Sequence, residues 1–150
     1  MSNNIFEYVK VINQKSKNAF DKISRSSSKD RNLAILNTSL IIKQKQEEIL
    51  QANKIDIGNA KQKNLTDAFV DRLFLNDKRI NDIINGLKKI AEMDDPIGIE
   101  LSRWKQPNGL DISRISVPLG IIGIIYESRP NVTIDAGSLC IKSGNTVILR

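Results

Sequence analysis

Histidine is absent from the 150 residues of this chain, and Cys140 is their one cysteine. Without histidine, these residues can form neither a Ser-His-Asp nor a Cys-His catalytic arrangement, nor a two-histidine metal motif. A single cysteine likewise excludes an internal disulfide and a thiolate-rich metal site. Any chemistry performed by this part of the chain must therefore use other side chains or the backbone.

Long hydrophobic runs are also absent. The longest, Val117 to Tyr126, contains a proline and two glycines and is far shorter than the roughly 18 apolar residues of a membrane helix. The first residues, Met1 to Asn4, lack the basic and apolar regions of a secretory signal. We therefore expect a cytoplasmic protein, and the composition, 40% hydrophobic and 27% charged, is typical of a globular one.

Aromatic residues make up only 5% of the chain, whereas 23 basic residues against 17 acidic ones give a net charge of +6. A basic balance favours anionic partners such as nucleotides, phosphorylated metabolites or nucleic acid. The lysines are dispersed, however, which is typical of a solvated surface. A basic helical module that binds nucleic acid would need clustered lysines and exposed aromatic residues, so we rank that alternative low.

Apolar residues recur at three- and four-residue steps in residues 3–93, which predicts helices. The apolar side of the first helix carries Ile5, Val9, Ile12, Ala19, Phe20 and Ile23. A second helix, which Ser28 can cap, is predicted to end near Asn53. Its apolar face is defined by Leu33, Leu36, Leu40 and Leu50.

Three further helices are predicted after Asn53. Two short ones lie at residues 56–61 and 67–73. The last starts at Asn76 and stops before Pro96, because proline disfavours helical geometry in the residue before it. Its apolar residues are Ile80, Ile83, Ile84, Leu87 and Ala91.

The next segment, residues 99–117, has no helical period and is predicted to be a β-hairpin. Its turn is Gln106 to Gly109, in which proline presets one dihedral angle and Asn-Gly adopts positive φ. An isolated hairpin is marginally stable in water. Its apolar side chains, including Trp104, must therefore pack on another subunit or on a later part of the chain.

Residues 117–150 predict a β-α-β unit. The apolar run at 117–126 is expected of a strand buried on both faces, and a helix at 132–142 leads to a second strand at 146–149. Such a crossover implies a parallel sheet and an α/β fold. Since two parallel strands do not complete a sheet, we expect a fragment of a longer protein.

Ligands of open parallel sheets bind where the strands end at their carboxyl side. Here Ser128 offers a hydroxyl, Arg129 a guanidinium and Asn131 an amide, just before a helix N-terminus that attracts phosphate. Arg150 follows the second strand. Simpler interpretations are that Asn131 caps the helix and that Arg129 forms a surface salt bridge with Glu127 or Asp135.

Two other groups of residues are weaker candidates. Cys140 lies on the apolar side of its helix with no histidine to activate it, so we interpret it as an inert buried thiol. Gly120 and Gly123 lie within the strand pattern and form no dinucleotide fingerprint. Carboxylates such as Asp71 and Asp82 are predicted to be solvated on helix surfaces.

The most distinctive string in the chain is YESRPN at Tyr126–Asn131, with VPLG at Val117–Gly120, KSGN at Lys142–Asn145 and VILR at Val147–Arg150. In these strings the chain closely resembles the gamma-glutamyl phosphate reductases, which belong to the aldehyde dehydrogenase superfamily. The resemblance covers nearly the whole chain. It implies N-terminal helices (1–98), a hairpin oligomerisation arm (99–117) and the first β-α-β of the NADP-binding domain (118–150), with the catalytic domain absent from this chain.

The resemblance also implies a reaction. A cysteine thiolate of the later catalytic domain attacks the acyl phosphate of L-glutamyl 5-phosphate and expels phosphate. NADPH then reduces the thioester to L-glutamate 5-semialdehyde, a step of proline biosynthesis. The expected partners are a second copy of the chain, through the hairpin, and glutamate 5-kinase as a functional link. The segment alone should be inactive.

By position, the resemblance places Ser128 and Arg129 where the first strand meets the cofactor, and Arg150 near the adenosine ribose. Asn131 corresponds to the superfamily asparagine that stabilises the oxyanion, although an ungapped count from Pro118 places that asparagine two residues earlier. Another aldehyde dehydrogenase, acting on an unphosphorylated aldehyde, is the enzymatic alternative. It would be expected to carry Pro-Trp-Asn at this turn.

Overall fold

The computed structural model describes residues 2–127 and 129–150. Its helices are α1 Ser2–Ile23, α2 Ser28–Gln44, α3 Gln46–Gln62, α4 Asp67–Leu73, α5 Asp77–Glu92 and α6 Pro130–Lys142. Its strands are β1 Glu100–Lys105, β2 Asp111–Ile115, β3 Ile121–Ile124 and β4 Thr146–Leu149. None of the helices in these residues combines the length and hydropathy that spanning a bilayer requires.

The second predicted helix is wrong in its extent and in its buried face. It is two helices with a break at Lys45, and α3 includes the short helix predicted at residues 56–61. Because neither glycine nor proline marks this break, the sequence has no stop signal there. Apolar residues line both sides of α2, and the buried side carries Ile35 and Ile42 while Leu40 is 57% exposed.

The N-cap of α2 also differs from the prediction. The Ser27 hydroxyl, one residue before Ser28, accepts a hydrogen bond of 3.1 Å from the N–H of Asp30. At the start of α5 the predicted signal is confirmed, since the Asn76 side chain accepts one of 2.8 Å from the N–H of Arg79. Each cap satisfies a backbone donor that the helix itself leaves free.

The hydrophobic core lies between α2 and α5, with α6 packed against it. Its fully buried members are Ile35, Ile42, Ile80, Ile83, Ile84, Leu87, Ile90 and Ala91. On α6, Ile134 and Ile141 cover this cluster. Burying a side chain such as Leu87 stabilises the fold by about 1.5–3 kcal/mol. Because Ile134 and Ile141 pack on this cluster, it holds α6 beside α5.

The predicted hairpin is confirmed. β1 and β2 pair antiparallel with Trp104 opposite Ile112, and Gly109 has a φ of +89° in the turn. Its apolar side chains lie largely open to solvent, with Trp104 44% exposed. Within the described residues the hairpin therefore has no apolar partner of its own.

The β-α-β unit is confirmed, but its first strand is shorter and more open than predicted. β3 pairs parallel with β4, and α6 makes the crossover. On either side of β3, Leu119 is 88% and Ile125 87% exposed, so the apolar run at 117–126 is not buried on both faces. The reason is that the described sheet has only two strands, contacted by α1 and α6.

α1 closes one side of this small sheet. The hydroxyl of Thr146, at the start of β4, donates a hydrogen bond of 3.3 Å to the main-chain oxygen of Ser16. The predicted apolar stripe of α1 is only partly used, since Ile12 and Phe20 are half-buried whereas Ile5 and Val9 are exposed. The two ends of the chain are thus packed together.

A candidate binding cleft at the N-terminus of α6

Arg129 and Asn131 lie at the start of α6, the first helix after the carboxyl end of β3. Arg129 is the N-cap residue, and Pro130 occupies the first helical position, where its missing N–H is harmless. The N-cap residue Arg129 makes no side-chain hydrogen bond to the free N–H groups of this helix. The simpler interpretation of Asn131 as the N-cap is therefore wrong, because Asn131 lies inside the first turn.

The side chain of Asn131 is exposed and only weakly engaged. Its Nδ2 lies 3.4 Å from Oδ2 of Asp135, one turn further along α6. The salt bridge suggested for Arg129 with Glu127 or Asp135 does not form, since none of the ion pairs between described residues includes Arg129. Arg129 thus has no ion-pair partner among the described residues, and Asn131 has one long hydrogen bond.

A cleft of about 430 Å³ separates this turn from α4 and α5. Its apolar floor is formed by Phe74, Leu75 and Ile83. Its rim carries arginines and aspartates in equal number. They are Asp71, Arg72, Arg79, Asp82, Arg129 and Asp135.

The α4–α5 connection that forms one wall of the cleft is fixed by Asn53. The Asn53 amide, buried in α3, donates to the main-chain oxygen of Leu73 and accepts from the N–H of Leu75, each at 2.8 Å. Since these hydrogen bonds satisfy both ends of a buried amide, they hold the segment between the two helices in one position. Phe74 is thereby presented to the cleft.

Arg79 is built into the same wall. Its guanidinium donates to the main-chain oxygens of Asp71 and Phe74, and Nη2 donates to Oδ1 of Asp71 at 2.8 Å. It also stacks over the ring of Phe74, 5.6 Å from the centroid. Arg79 and Asp71 therefore neutralise each other and shape the cleft.

The remaining predicted site residues lie elsewhere. Arg150 follows β4, where its main-chain oxygen accepts a hydrogen bond of 2.8 Å from the N–H of Tyr126. It is exposed at the carboxyl edge of the sheet but does not line the cleft. Ser128 lies outside the described residues. Of the four, the structure thus brings Arg129 and Asn131 together.

Cys140 is buried in α6, and the loss of solvent raises the pKa of its thiol. A raised pKa leaves less of the nucleophilic thiolate near neutral pH. This environment agrees with the interpretation of Cys140 as an inert thiol.

Sequence reasoning missed Arg72, Arg79 and Asp82 as cleft residues. Asp82 is exposed, as predicted for the carboxylates, but it lies at the cleft rim. The spacing of the apolar residues on α5 could have located Asp82, since Ile80 and Ile83 face the core against which α6 also packs. No spacing in the sequence marks Arg72.

The helices, the hairpin and the parallel β-α-β unit together define an α/β fold of the aldehyde dehydrogenase type. A solved structure from Bacillus subtilis, provisionally described as an aldehyde dehydrogenase, matches 89% of this chain and 27% of its own with a TM-score of 0.56. At 16% identity, this match shows the fold alone.

Closer similarity is to proteins named gamma-glutamyl phosphate reductase. The one from Clostridium tetani is 49% identical over 137 residues, 91% of this chain and 32% of its own. The crystal structure of the one from Thermotoga maritima is 41% identical with a TM-score of 0.88, over 91% of this chain and 33% of its own. A scan of family models gave no match. The chain thus spans about a third of these relatives, and the predicted fold class and resemblance are confirmed.

Proposed function

We propose that this chain is the N-terminal part of an enzyme that reduces L-glutamyl 5-phosphate to L-glutamate 5-semialdehyde and phosphate with NADPH. The similarity to gamma-glutamyl phosphate reductases at 41–49% identity supports the assignment. The observation that carries it is the cleft at the N-terminus of α6, where Asn131 offers an exposed amide. We also place the protein in the cytoplasm.

The residues at the edge of the sheet fit a nicotinamide dinucleotide. The first N–H groups of α6 and the positive end of its dipole attract phosphate oxygens. The exposed guanidiniums of Arg129 and Arg150 add cationic donors at this edge, and we assign both, with Ser128, to cofactor binding. The bound cofactor would supply the hydride.

Asn131 is proposed to stabilise the oxyanion of the tetrahedral intermediates. An amide N–H aimed at the developing negative charge acts most strongly where water is excluded. The single weak contact of Asn131 Nδ2 with Asp135 leaves that donor available. Asn131 also lies in the first turn of α6, at its phosphate-attracting end, so it can serve the cofactor side as well.

The nucleophile of the proposed reaction is a cysteine thiolate outside these residues, because Cys140 is buried and its pKa is raised. Attack on the acyl carbon forms a thioester and releases phosphate. A bound nicotinamide would supply the hydride for the aldehyde C–H bond, and the thiolate would leave with the C–S electron pair. A glutamate 5-kinase would supply the acyl phosphate.

The exposed hairpin supports a further proposal, that the protein is a homo-oligomer. Leu101 and Trp104 on β1, with Leu110 beside β2, are each more than 40% exposed. A second copy that covered them would remove apolar area from water.

The assignment is tested on the protein expressed from its complete reading frame, in the reverse direction. NADP⁺ reduction should require both L-glutamate 5-semialdehyde and inorganic phosphate. Reduction that proceeds equally well without phosphate would favour an aldehyde dehydrogenase acting on unphosphorylated aldehydes. If NADP⁺ is not reduced either with or without phosphate, both the reductase assignment and the aldehyde dehydrogenase alternative are overturned.

A further inference from the structure

The cleft beside α6 contains charges that the protein itself does not neutralise. Arg79 and Asp71 pair with each other at 2.8 Å, which leaves both signs among the remaining rim residues. None of the ion pairs between described residues includes Arg72, Asp82 or Asp135. Besides Arg129, which we assign to the cofactor, the cleft therefore offers one further cation and two carboxylates that have no ion-pair partner among the described residues.

These three side chains come from three different helices. Arg72, on α4, stacks over Phe69 with its guanidinium carbon 5.5 Å from the ring centroid, which limits its freedom. Asp82 lies on α5 and Asp135 on α6. The packing of α5 against α6 brings the last two to the same cavity.

We propose that this cleft recognises the zwitterionic head of an amino-acid substrate. Arg72 binds the α-carboxylate, and Asp82 and Asp135 bind the α-ammonium group. The proposal rests on the proposed function and adds a specificity-determining site to it. A guanidinium pairs with a carboxylate through two parallel hydrogen bonds, and a carboxylate is the natural acceptor for an ammonium group.

The mixed sign of the charges favours a zwitterion over a purely anionic occupant beside Asp82 and Asp135. A phosphate held between these two carboxylates would meet like charges, whereas the cofactor phosphates are proposed at the first N–H groups of α6 and at Arg129. A zwitterion has a complementary partner for each sign. Since Asp135 lies 3.4 Å from Asn131, an ammonium group held there keeps the rest of the molecule beside the proposed oxyanion donor.

The matched ligands for a test are L-glutamate and glutarate, which differ only in the ammonium group. Both are titrated calorimetrically into the protein from its complete reading frame. The wild type should bind L-glutamate more tightly than glutarate. Asp135→Asn or Asp82→Asn should weaken the binding of L-glutamate by about tenfold, as expected for the loss of a charged hydrogen bond, and leave the binding of glutarate unchanged. Arg72→Gln should weaken the binding of both ligands. Asp67→Asn, on α4 but outside the cleft, is the control.

The same variants are then compared as catalysts with L-glutamate 5-semialdehyde and 5-oxopentanoate, which lacks the ammonium group. The aspartate variants should lower kcat/KM about tenfold for the first aldehyde only. Equal losses for both aldehydes, or no preference of the wild type for L-glutamate over glutarate, would overturn the substrate-head proposal. Failure of the proposed function is a separate result, namely no phosphate-dependent NADP⁺ reduction by the wild type.

Discussion

Arg31 Nε donates a hydrogen bond of 3.2 Å to the main-chain oxygen of Lys142, although 111 positions separate the two residues. Both side chains are almost fully buried. The Lys142 ammonium donates to Asn32 Oδ1 at 2.8 Å and to the main-chain oxygens of Ala91 and Met93 at 3.1 and 2.6 Å. This cluster joins the C-terminal ends of α5 and α6 to the start of α2.

Replacing Lys142 by methionine should be strongly destabilising. The carbonyls at the end of α5 would lose their buried donor, and we expect the free energy of unfolding to fall by about 2–4 kcal/mol. Urea denaturation of the complete protein measures the change. Lys89→Met, at an exposed position on α5, is the control, and a loss as large as that of Lys142→Met would contradict the explanation.

The Asp95 carboxylate should make stability depend on pH. Burial raises its pKa, but the hydrogen bond from the Ile97 N–H and the pairing with Arg31 outweigh burial, so the pKa lies below its ordinary value of 3.8. A lowered folded-state pKa contributes stability above the unfolded value that is lost as pH falls through the folded value. Asp95→Asn should therefore destabilise the protein at pH 7, with a difference that narrows below pH ~4. Unfolding curves of both proteins across this pH range check the trend. A difference in the free energy of unfolding that stays constant with pH would show that the titration of Asp95 does not contribute to stability.

Gly144, between α6 and β4, should not tolerate alanine. Its φ is +68°, and an added Cβ would lie 2.7 Å from Ile97 Cδ1 and 2.9 Å from Pro118 Cγ. Strain and steric overlap together should lower the free energy of unfolding by about 2 kcal/mol or more. Gly137→Ala, where an added Cβ meets nothing within 4 Å, should instead be neutral or stabilising because alanine favours the helix. Thermal denaturation distinguishes the two.

Asn131→Ala should lower kcat by about a hundredfold or more while KM changes little, if its amide serves the oxyanion. Steady-state kinetics of phosphate-dependent NADP⁺ reduction provide the measurement. Asn85→Ala, at an exposed position on α5, is the matched control, and Cys140→Ala should also retain activity. An unchanged kcat in Asn131→Ala would remove this residue from the mechanism.

Trp104→Ser combined with Leu101→Ser should dissociate the proposed oligomer. Both side chains are exposed in the single chain, so their loss should leave the secondary structure unchanged. Sedimentation velocity gives the oligomeric state, and circular dichroism the helix content. An oligomer that survives both substitutions would show that the hairpin is not its interface.

The sequence predicted the helices and strands better than it predicted which of their faces are buried. The recurrence of Ile80, Ile84 and Leu87 at four- and three-residue steps identified α5 and its buried face together, because only one side of that helix is apolar. On α2, by contrast, Leu40 and Ile42 lie on different faces, and periodicity alone could not choose between them. The choice depends on which face meets α5, which is a property of the tertiary packing.

The candidate site was predicted in the same uneven way. Arg129 and Asn131 were found because a turn after a parallel strand precedes a helix N-terminus, which is a local pattern. Arg72 and Asp82 are far from Arg129 and Asn131 in sequence, and they reach the cleft through the packing of α4 on α3 and of α5 on α6. Local sequence patterns contain no information about such tertiary contacts.

The contact between Ser16 and Thr146 spans 130 positions, so α1 is synthesised long before the strand that it covers. At translation rates of 5–20 residues per second, the delay is on the order of ten seconds. During that time the apolar stripe of α1 faces water or whatever binds emerging chains at the ribosome. Since α1 packs on β3 and β4, the N-terminal helix is among the last elements of this segment to reach its native contacts.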